Sequence, residues 1–335
     1  MTLAYLAFTD RGEALARRLA AELGGEVSRS GRPLTAKQWA EKNFKAVQGL
    51  VFVGAAGIAV RSIAPLVSSK AEDPAVVCAD DCGHFAVPLL SGHLGGANEL
   101  AERIASVCGA QAAVTTATDA NGVFAFDDWA RRMRCSVLDT KGIRAVSSRL
   151  LRGETVRFYS VFPVEGALPR GTELTDRLSE ADAALLYRKP EDGGALPPLV
   201  LIPRCVTVGF GCRRNAPAEA LEKTVRSVLD GTGVFPQALC AAATIDLKKD
   251  EPAAAALCRR HRQPLYLFTA EELMRAEGDF SSSAFVLKTT GADNVCERAA
   301  VCAGGGRLLC RKTAGEGTTA ALSVTVPRLR WPDLE

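Results

Sequence analysis

The segment Leu90-Ser91-Gly92-His93-Leu94-Gly95-Gly96-Ala97-Asn98-Glu99 holds the densest group of side chains able to do chemistry. It lies between a run suited to a strand and a run suited to a helix. Glycines at such a junction let the backbone approach a ligand, and the helix start offers N–H groups at a positive dipole end. That chemistry suits a carboxylate, a phosphate or a developing oxyanion, with His93 as general base or acid. A glycine-shaped turn around a packed histidine has the same spelling. Thr115-Thr116-Ala117-Thr118-Asp119 ends the next strand-like run. Ligands of open α/β sheets bind beyond the carboxyl ends of strands, so this cluster could share a crevice with His93. Equally, Asp119 could cap a turn over Ala120–Gly122.

A second set lies further along. Val208-Gly209-Phe210-Gly211-Cys212-Arg213-Arg214 joins a strand to a helix beginning near Pro217. It is neither a P-loop nor a full G-x-G-x-x-G, because Arg214 stands where the third glycine belongs. Two glycines followed by paired arginines still make an anion cradle, since arginine binds carboxylates bidentately. Basic charge at a helix start opposes the dipole, which favours a ligand over a merely solvated pair. Thr244-Ile245-Asp246-Leu247-Lys248-Lys249-Asp250-Glu251 also runs from strand to helix, where Asp246 or Asp250 could simply cap.

Cys78, Cys82, His84 and His93 have the spacing C-x3-C-x-H-x8-H, which matches no standard zinc motif, and Cys78 is expected to point into a core. No metal site is assigned. A G-x-S-x-G elbow, a Walker A motif and the kinase signatures are all missing.

The elements that would position these residues alternate. Leu3–Phe8, Gly49–Val53, Ala75–Ala79, Phe85–Leu90 and Ala112–Thr116 read as strands. Arg11–Leu23, a helix from Thr35 (with Gln38 placed for a capping box), and Gly95–Val107 read as helices. Periodicity weakens over 133–203, where a helix over Lys141–Leu151 and strands near Thr155–Ser160, Ala183–Tyr187 and Leu199–Ile202 are expected. It returns from Val206 onward as a second α/β unit. The fold class is α/β: two α/β/α-type domains with largely parallel or mixed sheets, divided near Arg204. The N-terminal region, 1–203, consists of a motif-bearing part (1–132) and a weaker middle segment, and 204–335 forms the C-terminal domain.

With 335 residues, two domains are expected, and 47% apolar with 24% charged residues is globular composition. A net charge of +3 with no basic-aromatic runs argues against nucleic-acid partners. Nothing approaches 18 consecutive apolar residues, and no signal peptide opens the chain, so a cytoplasmic protein without membrane contact is expected. Eleven cysteines, an odd number in a chain this long, point to a reducing compartment.

Several of these loops together resemble one family. Gly54-Ala55-Ala56-Gly57-Ile58-Ala59-Val60-Arg61, Lys70–Val77, Leu89–Asn98 and Thr115–Asp119 are similar to the N-terminal region of cobalt-precorrin-5A hydrolases, the CbiG family. Gly209–Arg214, Ala243–Lys248, Ser281–Ser283 and Asn294–Glu297 are similar to its C-terminal domain. The resemblance implies hydrolysis of the ring-A lactone of cobalt-precorrin-5A, with loss of acetaldehyde, in anaerobic cobalamin biosynthesis. It implies an anionic cobalt-tetrapyrrole substrate that brings its own cobalt, no separate cofactor, and room for transient contact with neighbouring pathway enzymes. For that reaction the residues' own chemistry makes Ser91, His93 and Asp119 the candidate catalytic residues, with His93 activating water or shuttling the proton. Gly92, Gly95, Gly96, Asn98, Thr115, Thr116 and Thr118 would meet substrate, the Gly95 and Gly96 amides facing an oxyanion. Gly209, Gly211, Arg213, Arg214 and Lys248 would hold peripheral carboxylates across a domain cleft. A non-catalytic tetrapyrrole carrier and another α/β hydrolase of a small anionic metabolite are the rival functions.

Overall fold

A computed structural model describes residues 1–69 and 72–332, so Lys70 and Ala71 of the Lys70–Val77 segment lie outside the described residues. Contacts divide the chain into two compact units, Met1–Arg132 with Ser147–Glu154, and Met133–Val146 with Thr155–Glu335.

The first unit is built on β1 (Leu3–Ala7), α1 (Asp10–Leu23), β2 (Glu26–Arg29), α2 (Ala36–Asn43), β3 (Gly49–Val53), α3 (Ala56–Ile63) and β4 (Ala75–Ala79). There follow β5 (Phe85–Leu90), α4 (Ala97–Cys108), β6 (Gln111–Ala112), α5 (Ala117–Ala120) and α6 (Phe126–Arg132). Its six-stranded sheet has the order β2-β1-β3-β4-β5-β6. The first four strands are parallel, β5 is antiparallel to β4, and β6 is parallel to β5. Alternate residues of β1 feed two cores, as the period of two requires. Leu3, Tyr5 and Ala7 meet Leu19 of α1 and Leu100 and Ile104 of α4, whereas Ala4 and Leu6 meet Trp39 of α2 and Ile63 of α3. The Thr35–Gln38 capping box is present.

The strand expected over Ala112–Thr116 is only Gln111–Ala112, because Thr116 starts a helical turn, with its carbonyl accepting from the Ala120 N–H. That turn also overrides the cap expected of Asp119.

The second unit opens with β7 (Cys135–Val137), the N-terminal part of α7 (Thr140–Leu151), β8 (Val156–Ser160), β9 (Thr172–Leu174), β10 (Ala183–Leu185) and β11 (Leu199–Pro203). These strands form a sheet of their own, order β7-β11-β10-β8-β9. A third sheet, order β14-β13-β12-β16-β15, uses β12 (Val206–Cys212), β13 (Leu239–Ile245), β14 (Leu265–Phe268), β15 (Arg307–Ala314) and β16 (Thr318–Val324). Its helices are α8 (Ala218–Thr232), α9 (Pro252–His261), α10 (Ala270–Arg275), α11 (Ala284–Thr290) and α12 (Cys296–Gly304). The expected boundary at Arg204 falls inside this unit. Leu186, Val200 and Ile202 share one core with Val208, Phe210, Leu221 and Val225, which draws the middle segment to the C-terminal part. No helix of the described residues is long and apolar enough to cross a membrane.

Candidate active site

Leu90, the last residue of β5, pairs with Val76 at the start of β4. The loop that follows therefore emerges at the edge of the sheet where β1, β3 and β4 begin. The Gly54–Arg61 segment follows Val53, which pairs with Ala79 at the opposite edge. The two motif-rich stretches of this unit thus face away from each other, because β5 reverses direction.

The 91–96 loop is closed by its own backbone. The Gly96, Ala97 and Asn98 N–H groups donate to the carbonyls of His93, Ser91 and Gly92 at 2.9, 3.1 and 3.1 Å. A Cβ on Gly95 would stand 2.4 Å from Ser91 Cβ, so this close turn requires glycine. Two expectations change here. The Gly96 amide, expected to face an oxyanion, is engaged inside the loop. The Ser91 hydroxyl donates to the Asp73 carbonyl at 3.0 Å and makes no hydrogen bond to His93, so no Ser–His nucleophile pair exists.

What the loop presents instead is His93 between two carboxylates. Nε2 lies 2.7 Å from Asp119 Oδ2 and Nδ1 lies 3.2 Å from Asp127 Oδ1. Thr118 Oγ1 stands 3.4 Å from Nε2. Asn98 Nδ2 donates to both Thr116 Oγ1 (2.9 Å) and Asp119 Oδ2 (3.1 Å), and the Thr116 hydroxyl donates to the same Asp119 oxygen. His93, Asp119, Thr116, Thr118 and Asn98 are therefore brought together, while Thr115 is exposed.

Burial opposes a charge on His93, yet hydrogen bonds and attraction from Asp127 and Asp119 outweigh it and raise the imidazole pKa to about 9. The two carboxylates therefore favour the protonated ring, which suits His93 to proton donation. Burial likewise pushes the Asp119 carboxyl up, but Thr116 and His93 win and hold it below its ordinary value. The side chains of His93 and Asp127 are 11% and 9% exposed, against 42% for Asp119, which is the open member of the group. This is an acid–base pair: an anionic carboxylate able to orient water beside a cationic donor.

Sequence reasoning missed Asp127. It lies 34 residues from His93 on the short α6, which is held by buried Phe126 and Trp129 and by Arg131 bonding Glu99 (2.5 Å) and Asp128 (2.9 Å). The only sequence signal was the acidic pair Asp127-Asp128 beside an aromatic-rich stretch.

In the second unit, Gly209 is a packing residue. A Cβ there would meet the Cys296 carbonyl oxygen at 1.9 Å, because α12 lies directly on β12, and this corrects the substrate contact expected of it. Lys248, expected to hold a substrate carboxylate, is paired with Glu251 at 3.1 Å with both side chains largely buried. Arg213 and Arg214 are exposed, and no ion pair or side-chain hydrogen bond holds either among the described residues. Glu297 is fully buried and accepts from Ser281 N, Ser281 Oγ and Lys312 N at 2.9, 2.8 and 2.7 Å, so that motif is a structural clamp. Cys78 donates to the Gly54 carbonyl, its thiol raised by burial to about 11. Asp80, Cys82 and His84 bring ligand-type atoms within 4.8 Å of one another, but the Asp80 carboxylate already accepts three backbone N–H groups of its own turn.

A family model described as cobalamin synthesis G N-terminal matches residues 38–119, and one described as cobalamin synthesis G C-terminus matches residues 206–323. A cobalt-precorrin-5A hydrolase of Salmonella typhimurium is 34% identical, over 96% of this chain and 97% of its own. The chain belongs to the cobalamin synthesis G family. A cobalt-precorrin-5A hydrolase of Priestia megaterium is 28% identical over 77% of this chain and 73% of its own. Protein CobE of a Sinorhizobium species is 31% identical over 35% of this chain and 79% of its own. Within this family member, the N-terminal match takes in His93, Asn98, Thr116 and Asp119 and stops short of Asp127. Arg213 and Arg214 lie within the C-terminal match.

Proposed function

We propose that this protein hydrolyses the ring-A lactone of cobalt-precorrin-5A and releases acetaldehyde, giving cobalt-precorrin-5B in anaerobic cobalamin biosynthesis. The observation that carries the reading is the His93 ring hydrogen-bonded to the open Asp119 carboxylate, inside the segment matched by the family model. Similarity over 96% of the chain to one protein named for this hydrolysis, and over 77% to a second, supports the substrate.

Asp119 orients a water against the lactone carbonyl and takes its proton as the carbon–oxygen bond forms. The low pKa makes it a weak base, so orientation is its main contribution. Once Asp119 has taken the proton of water, the Nε2–H of His93 that rested on it is released to the departing alkoxide and protonates it, leaving a carboxylic acid and a free hydroxyl. In the second stage that hydroxyl gives its proton to the pair. Its carbon–carbon bond to the macrocycle breaks, and the carbon left behind takes a proton, so acetaldehyde departs with atoms balanced by the one water consumed. Arg213 and Arg214 hold carboxylates at the rim of the macrocycle. Cobalt arrives within the substrate, and the protein needs no cofactor of its own. Eleven free cysteines support a cytoplasmic setting.

The test is incubation with the lactone-bearing intermediate in ¹⁸O-water, without nucleotide, flavin or added metal. One ¹⁸O in the product carboxylate and one trapped acetaldehyde per turnover are expected. Tight binding with no change in mass would overturn the proposal in favour of a carrier.

A further inference from the structure

The two carboxylates on His93 are not alike. Asp119 is open and accepts from Thr116, Asn98 and His93. Asp127 is buried, and among the described residues its one hydrogen bond is to His93 Nδ1. The helix carrying it cannot easily shift, because Arg131 ties α6 to Glu99 of α4 while Phe126 and Trp129 fill the core beneath. The charged groups that touch His93 are Asp119 from α5 and Asp127 from α6. Asn98 of α4 faces Asp119, Thr118 is neutral, and Glu99 and Asp128 are paired with Arg131.

We infer that Asp127 is the positioning residue of this site: it accepts the Nδ1–H of His93, fixes the ring and turns Nε2–H toward Asp119. The inference rests on His93 being the proton donor proposed above. A buried carboxylate behind an imidazole selects both the ring orientation and the protonation state, and it never has to touch substrate.

The test is an NMR titration of the histidine rings in the full-length, substrate-free protein. With three histidines in the chain, each resonance is assigned by single substitution. In the wild type, His93 titrates far above the ordinary histidine range. In Asp127→Asn its midpoint falls by about 1–3 pH units, the usual weight of an adjacent opposite charge, while His84 and His261 stay in place. Asp127→Glu restores most of the shift. Asp127→Asn also lowers kcat roughly 10–100-fold, a part of what acid–base help as a whole supplies, with KM within about twofold. A wild-type His93 that titrates near 6.5 overturns the inference without any variant. So does an Asp127→Asn protein whose His93 midpoint or kcat is unmoved. The titration uses no substrate, so inactivity on cobalt-precorrin-5A would remove the proposed function and leave the His93 shift to stand or fall separately.

Discussion

Burial alone would leave the His93 imidazole neutral, and a neutral ring beside a lactone would be read as the base that activates water. Two carboxylates reverse the sign. A cationic donor is active while protonated, so kcat should be flat through neutral pH and fall as pH rises through about 9. On the acid side the limit is Asp119, whose pKa is held down by Thr116 and His93, so the plateau should extend below the ordinary aspartate range unless the protein unfolds first. A neutral base would give the opposite slope, a rise through about 6.5. Rate against pH separates the two, and kcat climbing severalfold between pH 6 and 7.5 would contradict the donor role. Replacing Asp119 by Asn keeps the shape and removes the anion. That variant should lose roughly 10²–10⁴ in kcat, as acid–base help does in general, with a smaller change in KM.

At the scale of elements, Gly209 separates packing from binding. Its Gly→Ala variant places a methyl 2.5 Å from Ala300 N as well as 1.9 Å from the Cys296 carbonyl. Strand β12 and helix α12 must part to admit it, which costs about 1–3 kcal/mol or more. The urea midpoint should fall accordingly, while the protein that remains folded keeps its KM. An unchanged midpoint with a raised KM would restore Gly209 as a substrate contact. This residue also marks the limit of the sequence. A glycine that admits a ligand and one that admits a helix are spelled alike, and only the neighbour differs. Elements whose identity is local were legible: the short apolar run of β1, the Thr35–Gln38 box, and Leu100 and Ile104 on one face of α4. The polar edge strand Glu26–Arg29 and the seven-residue α6 carry too little periodicity to stand out. His93 and Asp119 were legible as chemistry, but the partnership with Asp127 depends on how α6 docks, and the reversal at β5 turns on the short 80–84 connection that pairs it with its chain neighbour β4.

For the whole molecule, the candidate residues divide by unit: the His93–Asp119 pair lies in the first, and the exposed Arg213 and Arg214 lie in the second. Carboxylates held by arginine are charged in ground and transition state alike, so their loss raises KM with little change in kcat. Arg213→Ala and Arg214→Ala should each raise KM about tenfold, from a charged hydrogen bond of roughly 1.5–3 kcal/mol discounted for exposure, and less at high salt. Loss of kcat with KM untouched would refute that assignment. The proposed role of His93 is to drive release of acetaldehyde from cobalt-precorrin-5A. Its most direct test is a single-turnover comparison of wild type and His93→Ala on that substrate, following product mass and trapped acetaldehyde, with circular dichroism confirming that both are folded. The wild type should release one acetaldehyde per substrate, and His93→Ala should do so about 10²–10⁴-fold more slowly. Acetaldehyde released at equal rates by the two proteins, or by neither, would contradict it.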